Sequence, residues 1–457
     1  MTAKYSVKKT PIIWISLFLS LILLYTIFGY HLERTEYFKL ISLYVALFFV
    51  SFKIVQLNNK NINLLLIISL LARFVFLMAI PNLSQDFYRF IWDGRMIFEG
   101  FNPYLHTPDS FLLKGIFPVA DAQILYNKMG PLSASHFTNY PPVSQFCYYV
   151  AALFAKNSIL GPVIVMRILI ILADLMTFYF GSKLLKNLNL PAHYIFWYIL
   201  NPFIIIELTG NLHFEGVMIC FFVMSLYLLQ KLKWQWAAVA FSLSVATKLI
   251  PLIFLPFIFK YLKLKKGFMF CAIVGLLNIA LFLPFISSEF ITNYAETVGL
   301  WFKNFEFNAS LFNIAKSIGF NITGHNEIKL IGPIMAVLVI IYIAITTYKS
   351  PLKHMRQLLI HMLLVITIYY FMATTVHPWY VSLLLILAVF TGYKFPLVWS
   401  LSIILSYLAY ASSDNTENLW VIALEYIPVY ATFIYEVILK KPIGNTNYTQ
   451  QISEHSV

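Results

Sequence analysis

The sequence predicts an all-α, polytopic membrane protein with about 12 to 14 transmembrane helices and a large first outer loop that bears short surface helices. Of its 457 residues, 60% are hydrophobic, whereas roughly 45–50% is typical of a soluble globular domain. The mean hydropathy is +0.78. Apolar stretches of about 20 residues, long enough to cross a bilayer as helices, recur along the chain and are separated by short lysine clusters.

The candidate spans follow from apolar length. They are residues 11–30, 36–56, 61–80, 160–182, 192–209, 214–231, 234–247, 249–262, 267–286, 331–348, 357–375, 378–392, 395–411 and 419–439. Short pairs such as 234–247 and 249–262 leave the count open by two. We predict a single multi-spanning domain over residues 1–439 and a cytoplasmic tail at 440–457.

The basic clusters predict the orientation of these spans, because cytoplasmic loops carry an excess of lysine and arginine. With the clusters inside, loop 81–142, the turn 376–377 and a second outer loop at 287–330 lie outside. The scheme requires residues 143–155 to lie along the interface, so residues 81–155 form one outer loop with an interfacial helix. The formal net charge of +13 is then explained by topology, and no nucleic-acid partner is expected.

The densest group of charges lies at residues 84–104 of this chain, in which only 11% of residues are charged. Asp86, Arg89 and Asp93 are spaced so that a helix would place them on one face, with Arg89 between the two acids. A neighbouring arginine lowers the pKa of a carboxylate, so Asp86 would stay ionised and could accept a proton from a substrate hydroxyl. The alternative is a solvated amphipathic helix whose charges satisfy one another.

Other polar residues interrupt the apolar segments on the predicted outer side. His213 and Glu215 lie at the mouth of a span, where they form either a functional site or a polar turn at the water boundary. Lys248 breaks the basic-inside pattern, and it could snorkel or bind a lipid-linked phosphate. His377 could donate to a phosphate or to a leaving oxygen. The aromatic residues nearby suit a sugar ring or an interfacial belt: Tyr88, Trp92, Tyr104, Tyr140 and Trp379.

Several familiar motifs do not occur in the sequence. The three cysteines are far apart and show neither metal-ligand spacing nor an obvious disulfide pair. The sequence contains no glycine-rich phosphate loop, no G-x-S-x-G and no H-E-x-x-H. Nucleotide-driven chemistry on a soluble domain is therefore not expected.

The outer-loop motifs resemble those of the multi-spanning GT-C glycosyltransferases that use polyprenyl-phosphate sugars. The resemblance is greatest to bacterial polyprenyl-phosphomannose-dependent mannosyltransferases and to the first mannosyltransferase of GPI-anchor synthesis. It rests first on Asp86-x-Tyr88-Arg89-x-x-Trp92-Asp93-Gly94, Gly100-x-Asn102-Pro103-Tyr104 and Tyr140-Pro141-Pro142. Weaker landmarks are Asn211-x-His213-x-Glu215, Lys248 with Pro251, and His377-Pro378-Trp379-Tyr380.

The resemblance implies transfer of a hexose, with mannose expected, from a polyprenyl-phosphate donor to an acceptor hydroxyl, with inversion of the anomeric centre. Asp86 matches the acidic residue of the family's first outer loop and is the expected general base, with Asp93 and Glu215 as alternatives. Residues expected to bind the donor phosphate or substrate are Arg89, Lys248, His377, His213, Tyr88, Trp92, Asn102, Tyr104, Tyr140 and Trp379. Relatives often pair two acids in this loop, whereas the next acid here is Asp93, so no metal is indicated.

The resemblance also implies a location and partners. We expect the bacterial inner membrane with the active site on its outer face, or the endoplasmic reticulum membrane in a eukaryote. The expected partners are a polyprenyl-phosphate sugar donor, membrane lipids and a glycan, glycolipid or protein acceptor. The competing hypothesis is a transporter or flippase of a lipid-linked sugar, which would also need polar residues in interrupted spans.

Overall fold

The computed structural model describes residues 10–155, 157–303, 305–411 and 416–441. Of the predicted cytoplasmic tail at 440–457, residues 442–457 lie outside these ranges. The described chain is helical throughout, with one isolated parallel bridge between Phe307 and Thr375. The predicted all-α class is therefore confirmed.

The α-helices vary from single turns to elements of 28 residues. They are α1 (Thr10–Tyr30), α2 (Tyr37–Asn58), α3 (Ile62–Val75), α4 (Asp86–Phe98), α5 (Pro108–Leu112), α6 (Ala122–Met129), α7 (Pro131–Ser135), α8 (Pro142–Ala155), α9 (Leu160–Asn187), α10 (Phe196–Ile199), α11 (Pro202–Ile204), α12 (Glu215–Gln230), α13 (Trp234–Val245), α14 (Leu255–Phe282), α15 (Phe290–Lys303), α16 (Leu311–Thr323), α17 (Ile328–Lys349), α18 (Met355–Met372), α19 (Val381–Thr391), α20 (Phe395–Ser402) and α21 (Leu419–Phe433). The 3₁₀ turns are Ala192–Ile195, Ile250–Phe254, Leu283–Phe285, Pro378–Tyr380 and Ile403–Ala411, and π-helical turns cover Ile205–Gly210 and Ile434–Ile438.

Seven helices in the described ranges are long and apolar enough to cross a membrane, or eight if one bent pair counts as a span. They are Ile13–Tyr30, Tyr37–Asn58, Leu160–Asn187, Ile250–Phe285, Ile328–Lys349, Met355–Met372 and Leu419–Ile438. Shorter apolar helices account for further predicted segments: Ile62–Val75, Pro142–Ala155, Pro378–Thr391 and Phe395–Ala411. A polytopic protein is thus confirmed, although several predicted spans are too short to cross a bilayer as straight helices.

Two predicted spans, 249–262 and 267–286, fall within the single apolar element Ile250–Phe285. The chain turns inside it at Lys263, whose φ of 64° and ψ of 171° are not helical. Beyond the turn, Gly267 passes so close to the earlier helix that an added Cβ would lie 2.5 Å from the Phe259 carbonyl oxygen. Glycine permits this close return, so the basic residues at 260–266 surround a tight turn, as the predicted loop requires.

The predicted span 192–209 is broken into short pieces, and its end is bent by 116° from α12. Asn201 caps α11 by accepting from the Phe203 N–H at 2.9 Å, and Pro202 occupies the first turn. The buried guanidinium of Arg167 donates to the carbonyl oxygens of Thr209 and Gly210, both at 2.9 Å. These bonds satisfy carbonyl groups that the break leaves unpaired. The Asn211 side chain then accepts from the Leu83 N–H at 3.0 Å, which ties the break to the segment just before α4.

The segment predicted as the first outer loop (residues 81–155, called the first outer loop below) is organised around the contact between α4 and α8. Gly94 of α4 lies directly against α8, since an added Cβ would be 2.2 Å from the Tyr148 carbonyl oxygen. At the start of α8, the Ser144 hydroxyl donates to the Thr247 carbonyl at 2.8 Å. The predicted interfacial helix is thus a helix of 14 residues that fixes the turn following α13.

The second outer loop packs on the first through side-chain amides. Asn102 donates to the Phe285 carbonyl at 2.9 Å, and Asn293 donates to the Tyr104 carbonyl at 3.1 Å. Farther along, the Phe307 carbonyl accepts from the Val376 N–H at 2.8 Å. The two loops and the segment before His377 therefore form one continuous wall.

Candidate active site

A cavity of about 530 Å³ lies where the two outer loops meet the ends of the apolar helices. Its volume lies within the range of small-molecule sites, ~300–1,000 Å³. The cavity is lined by several of the predicted site residues: Asp86, Tyr140, Glu215, Lys248, His377 and Trp379. Apolar side chains of the turn after Lys248 line it as well, namely Leu249, Ile250 and Ile253.

Asp86 begins α4, and its carboxyl group reaches the cavity. Burial raises the pKa of Asp86 from 3.8 to about 6; Lys248 lowers it and Glu215 raises it. The predicted low pKa of Asp86 is therefore wrong, because desolvation by the surrounding protein outweighs the nearby positive charge. A carboxyl group with a pKa near 6 is still mostly ionised at neutral pH, and it is a stronger base than an ordinary aspartate.

Arg89 is paired with Asp93, and neither residue lines the cavity. Its Nε donates to the Asp93 carboxylate at 2.8 Å, and a second nitrogen donates to the His136 carbonyl at 3.0 Å. Gln145 of α8 donates to the other Asp93 oxygen at 3.1 Å. Arg89, which is expected between Asp86 and Asp93, thus pairs with Asp93, and the Gln145 amide holds the other oxygen of that carboxylate. This network instead braces residues 133–138.

Lys248 faces the cavity from the turn after α13. Its ammonium lies 3.0 Å from the Glu215 carboxylate and 5.0 Å from the centre of the Tyr140 ring. The turn is fixed because Ser144 bonds the preceding residue, Thr247. Lys248 therefore points into the protein and does not snorkel to a lipid surface.

Two imidazole rings stack on the indole of Trp379. The His213 ring lies 3.6 Å from the Trp379 ring, and the His377 ring lies 4.6 Å away, both in stacked orientation. His213 is buried behind the cavity wall, with Nε2 3.9 Å from a Glu207 carboxylate oxygen. The Tyr407 hydroxyl donates to Glu207 at 2.9 Å and itself reaches the cavity. The stack fixes the indole as a rigid aromatic surface.

The remaining predicted residues lie outside the cavity lining and support its walls. Trp92 is buried, and the Tyr88 ring contacts the Phe87 ring in a tilted arrangement with ring centres 4.0 Å apart. The Tyr104 hydroxyl donates to the Tyr140 carbonyl at 2.6 Å. Asn102 is bonded to the second outer loop, as described above. These residues position the side chains that line the cavity. Direct contact with a ligand there would be made by the lining side chains.

Sequence reasoning missed Arg34, Glu207 and two tyrosines, Tyr407 and Tyr410, which surround the same cavity. Glu207 had a signal, since an acid inside an apolar segment marks a functional position unless it is paired. Arg34 stands in a short polar turn between two spans, and only the tertiary structure brings it to the cavity.

The described ranges contain no cluster of three or more His, Cys, Asp or Glu side chains that could hold a metal ion. The three cysteines, Cys147, Cys220 and Cys271, are all free thiols. The ionisable groups that line the cavity are carboxyl, ammonium, guanidinium, imidazole and phenol groups.

Comparison with known proteins shows which proteins part of this chain is similar to. Residues 38–263, just under half of the chain, match a family model described as alpha-(1->6)-mannopyranosyltransferase, N-terminal domain. Among curated proteins, alpha-(1->6)-mannopyranosyltransferase A of Mycobacterium tuberculosis (strain ATCC 25618 / H37Rv) is 19% identical over 197 residues. That alignment covers 42% of this chain and 36% of the relative, so it spans little more than a third of the relative's length. The matches confirm the resemblance to GT-C-like membrane mannosyltransferases that the sequence motifs indicate.

Proposed function

We propose that the chain transfers a mannosyl group from a polyprenyl-phosphate-linked donor to an acceptor hydroxyl at the outer face of the membrane, inverting the anomeric centre. The observation that carries the proposal is the meeting of Asp86, Lys248 and Trp379 at one cavity among apolar helices. These groups supply a base, a cation and an aromatic surface. The matched mannosyltransferase family supports mannose as the sugar.

In this mechanism Asp86 accepts the proton of the acceptor hydroxyl as that oxygen attacks the anomeric carbon. The bond from the anomeric carbon to the phosphate oxygen breaks, and its electron pair leaves with the lipid phosphate. A single carboxylate suffices for direct inversion, whereas a covalent intermediate would require a second carboxylate as nucleophile. The contacts support Asp86 as this base, because Asp93 is engaged by Arg89 and Glu215 by Lys248.

Lys248 is placed to stabilise the charge that develops on the departing phosphate. A cation in a site that excludes water acts more strongly on such a charge than it would in solution. A bound phosphate would compete with the Glu215 carboxylate for the Lys248 ammonium. The role left to Glu215 is to orient the Lys248 side chain. His377 lines the same cavity.

Trp379 and Tyr140 provide aromatic surface for the sugar ring. Aromatic rings favour the apolar faces of sugars, and the two stacked imidazoles restrict the indole to one orientation. Leu249, Ile250 and Ile253 continue the lining as an apolar strip suited to the first isoprene units of the donor. An outer location is supported by the basic clusters, which lie in other turns of the chain.

The alternative is a flippase of a lipid-linked sugar, and the broken pair Pro202–Gly210 and Glu215–Gln230 favours it. Discontinuous helices bent by large angles, here 116°, are typical of transporter binding sites. Glu207 is a buried acid within this pair. The break nevertheless presents Glu215 to the same cavity as Asp86, which suits a single site for transfer.

Reconstitution into proteoliposomes distinguishes the two functions. The vesicles receive polyprenyl-phosphate mannose labelled in the sugar, or labelled nucleotide-linked mannose, together with an extract of membrane glycans and glycolipids as acceptors. We expect label in a new glycoconjugate only from the polyprenyl-phosphate donor. Label that crosses the bilayer while remaining on the polyprenyl lipid would instead favour the flippase, and transfer from the nucleotide donor would refute the donor class.

A further inference from the structure

We propose that Arg34, supplied by the N-terminal helical hairpin, binds the phosphate of the lipid-linked donor. The inference rests on the proposed function and adds a residue to it. Arg34 precedes the region matched to the mannosyltransferase family, which begins at residue 38. Arg34 thus lies in the turn just before the matched region, whereas most of α2 lies within it.

The turn that carries Arg34 is held in place on both sides. Its two flanking helices are α1 and α2, and the Glu33 N–H donates to the Glu36 carboxylate at 3.0 Å. Asn82 donates to the carbonyl oxygens of Phe28 and Leu32, at 2.7 and 3.0 Å, just before the start of α4. The position of Arg34 relative to the first outer loop is thus set by direct hydrogen bonds.

The guanidinium of Arg34 lies over the ring of Tyr410, 4.6 Å from its centre. Both residues line the cavity, as does Asp86, whose charge acts on Tyr410 together with that of Arg34. The guanidinium carries five N–H donors in one rigid plane. A planar fork held in this way matches two oxygens of a phosphate.

Arg34 is a cation of the cavity lining that is not paired with a carboxylate in the described part of the chain. Lys248 is already paired with Glu215 at 3.0 Å. Burial and the nearby cations lower the pKa of His136 to about 4 and that of His377 to about 3, so both are neutral at physiological pH. Within the described part of the chain, no carboxylate lies within ion-pair distance of Arg34.

A lipid phosphate fits this place better than free phosphate. The apolar side chains Leu249, Ile250 and Ile253 line the same cavity, so a ligand could place its anionic head near Arg34 and its chain along them. Desolvation of a phosphate ester is costly unless a cation pairs with it, which is the role assigned to the guanidinium.

The test is binding of a short, sugar-free polyprenyl phosphate to the full chain in nanodiscs of neutral lipid. We expect Arg34→Gln to raise the Kd at least ~tenfold, because a charge-assisted hydrogen bond contributes more than a neutral one. Arg34→Lys should restore part of the affinity. Lys53→Gln is the matched control, since Lys53 belongs to α2 of the same hairpin, contacts Gln56 and Phe49 within that helix and does not line the cavity.

An unchanged Kd in Arg34→Gln would overturn the inference, as would failure of the wild-type chain to bind polyprenyl phosphate. Phosphatidylglycerol is offered in parallel, and equal, Arg34-dependent binding of that lipid would overturn the assignment to the donor. If the wild type binds polyprenyl phosphate through Arg34 but transfers no mannose, the proposed function fails and the inference about Arg34 stands.

Discussion

The rate of transfer should depend on pH through Asp86, whose pKa burial raises from 3.8 to about 6. A general base acts only when deprotonated, so kcat/KM should fall as the pH is lowered through 6. At pH 5 a base with a pKa of 6 is ~9% ionised, whereas one with a pKa of 3.8 would be ~94% ionised. The structure therefore predicts that about nine-tenths of the activity is lost between pH 8 and pH 5.

Removing either of two neighbouring charges should move the midpoint of this pH profile, and the two removals should move it in opposite directions. Lys248 lowers the pKa of Asp86 and Glu215 raises it. Lys248→Met should therefore move the midpoint of the profile to higher pH, and Glu215→Gln should move it to lower pH. A movement by one pH unit corresponds to about 1.4 kcal/mol of interaction with the ionised carboxylate.

The assay is mannose transfer from labelled polyprenyl-phosphate mannose, with kcat/KM measured from pH 5 to pH 8.5, because kcat/KM reports the free enzyme. Asp109→Asn is a control, since Asp109 is an acid of the same outer loop that does not line the cavity. Its profile should equal that of the wild type. A midpoint near pH 4, or movement of both variant profiles in one direction, would refute the assignment of the base and its environment.

Three further predictions concern the walls of the cavity. Arg89→Met should destabilise the protein by ~3–5 kcal/mol in thermal unfolding because it leaves Asp93 buried without its partner. Glu36→Gln, at an exposed pair, should leave the unfolding temperature nearly unchanged; equal small effects of the two variants would contradict this view. Gly94→Ala should cost at least ~1–3 kcal/mol because its Cβ would lie 2.2 Å from the Tyr148 carbonyl oxygen, whereas Gly275→Ala, with nothing within 4 Å, should be tolerated. Trp379→Ala should raise the KM for the mannosyl donor and leave the Kd for sugar-free polyprenyl phosphate unchanged. Equal weakening of the binding of both ligands would contradict a specific contact between the indole and the sugar.

The sequence predicts the class of this fold because apolar length and basic turns are local properties. Breaks within the apolar segments are harder to predict. The π-helical turn at Ile205–Gly210 depends on Arg167, almost 40 positions earlier, whose guanidinium satisfies the freed carbonyl groups. Hydropathy contains no information about such a contact, so the segment 192–209 looked like one span.

The candidate site, too, contains some residues that local sequence predicts and others that depend on contacts between distant parts of the chain. Helical spacing allows Arg89 to reach either Asp86 or Asp93, and only the amide of Gln145 on α8 and the carbonyl of His136 determine the choice. Asp86 stands out in the sequence because it belongs to a dense group of charges, and Lys248 and His377 stand out as single polar positions between apolar segments. Arg34 gave no such signal, because its role depends on Tyr410, more than 370 residues away in the chain.

The central proposal is that Asp86 is the general base, and Asp86→Asn tests it most directly. The raised pKa means that ionisation of Asp86 disfavours the folded state at pH 7, so the amide should not lower the melting temperature. We predict an intact, folded variant that binds polyprenyl phosphate as the wild type does and transfers mannose at least ~100-fold more slowly. Transfer at the wild-type rate by this folded variant would contradict the account.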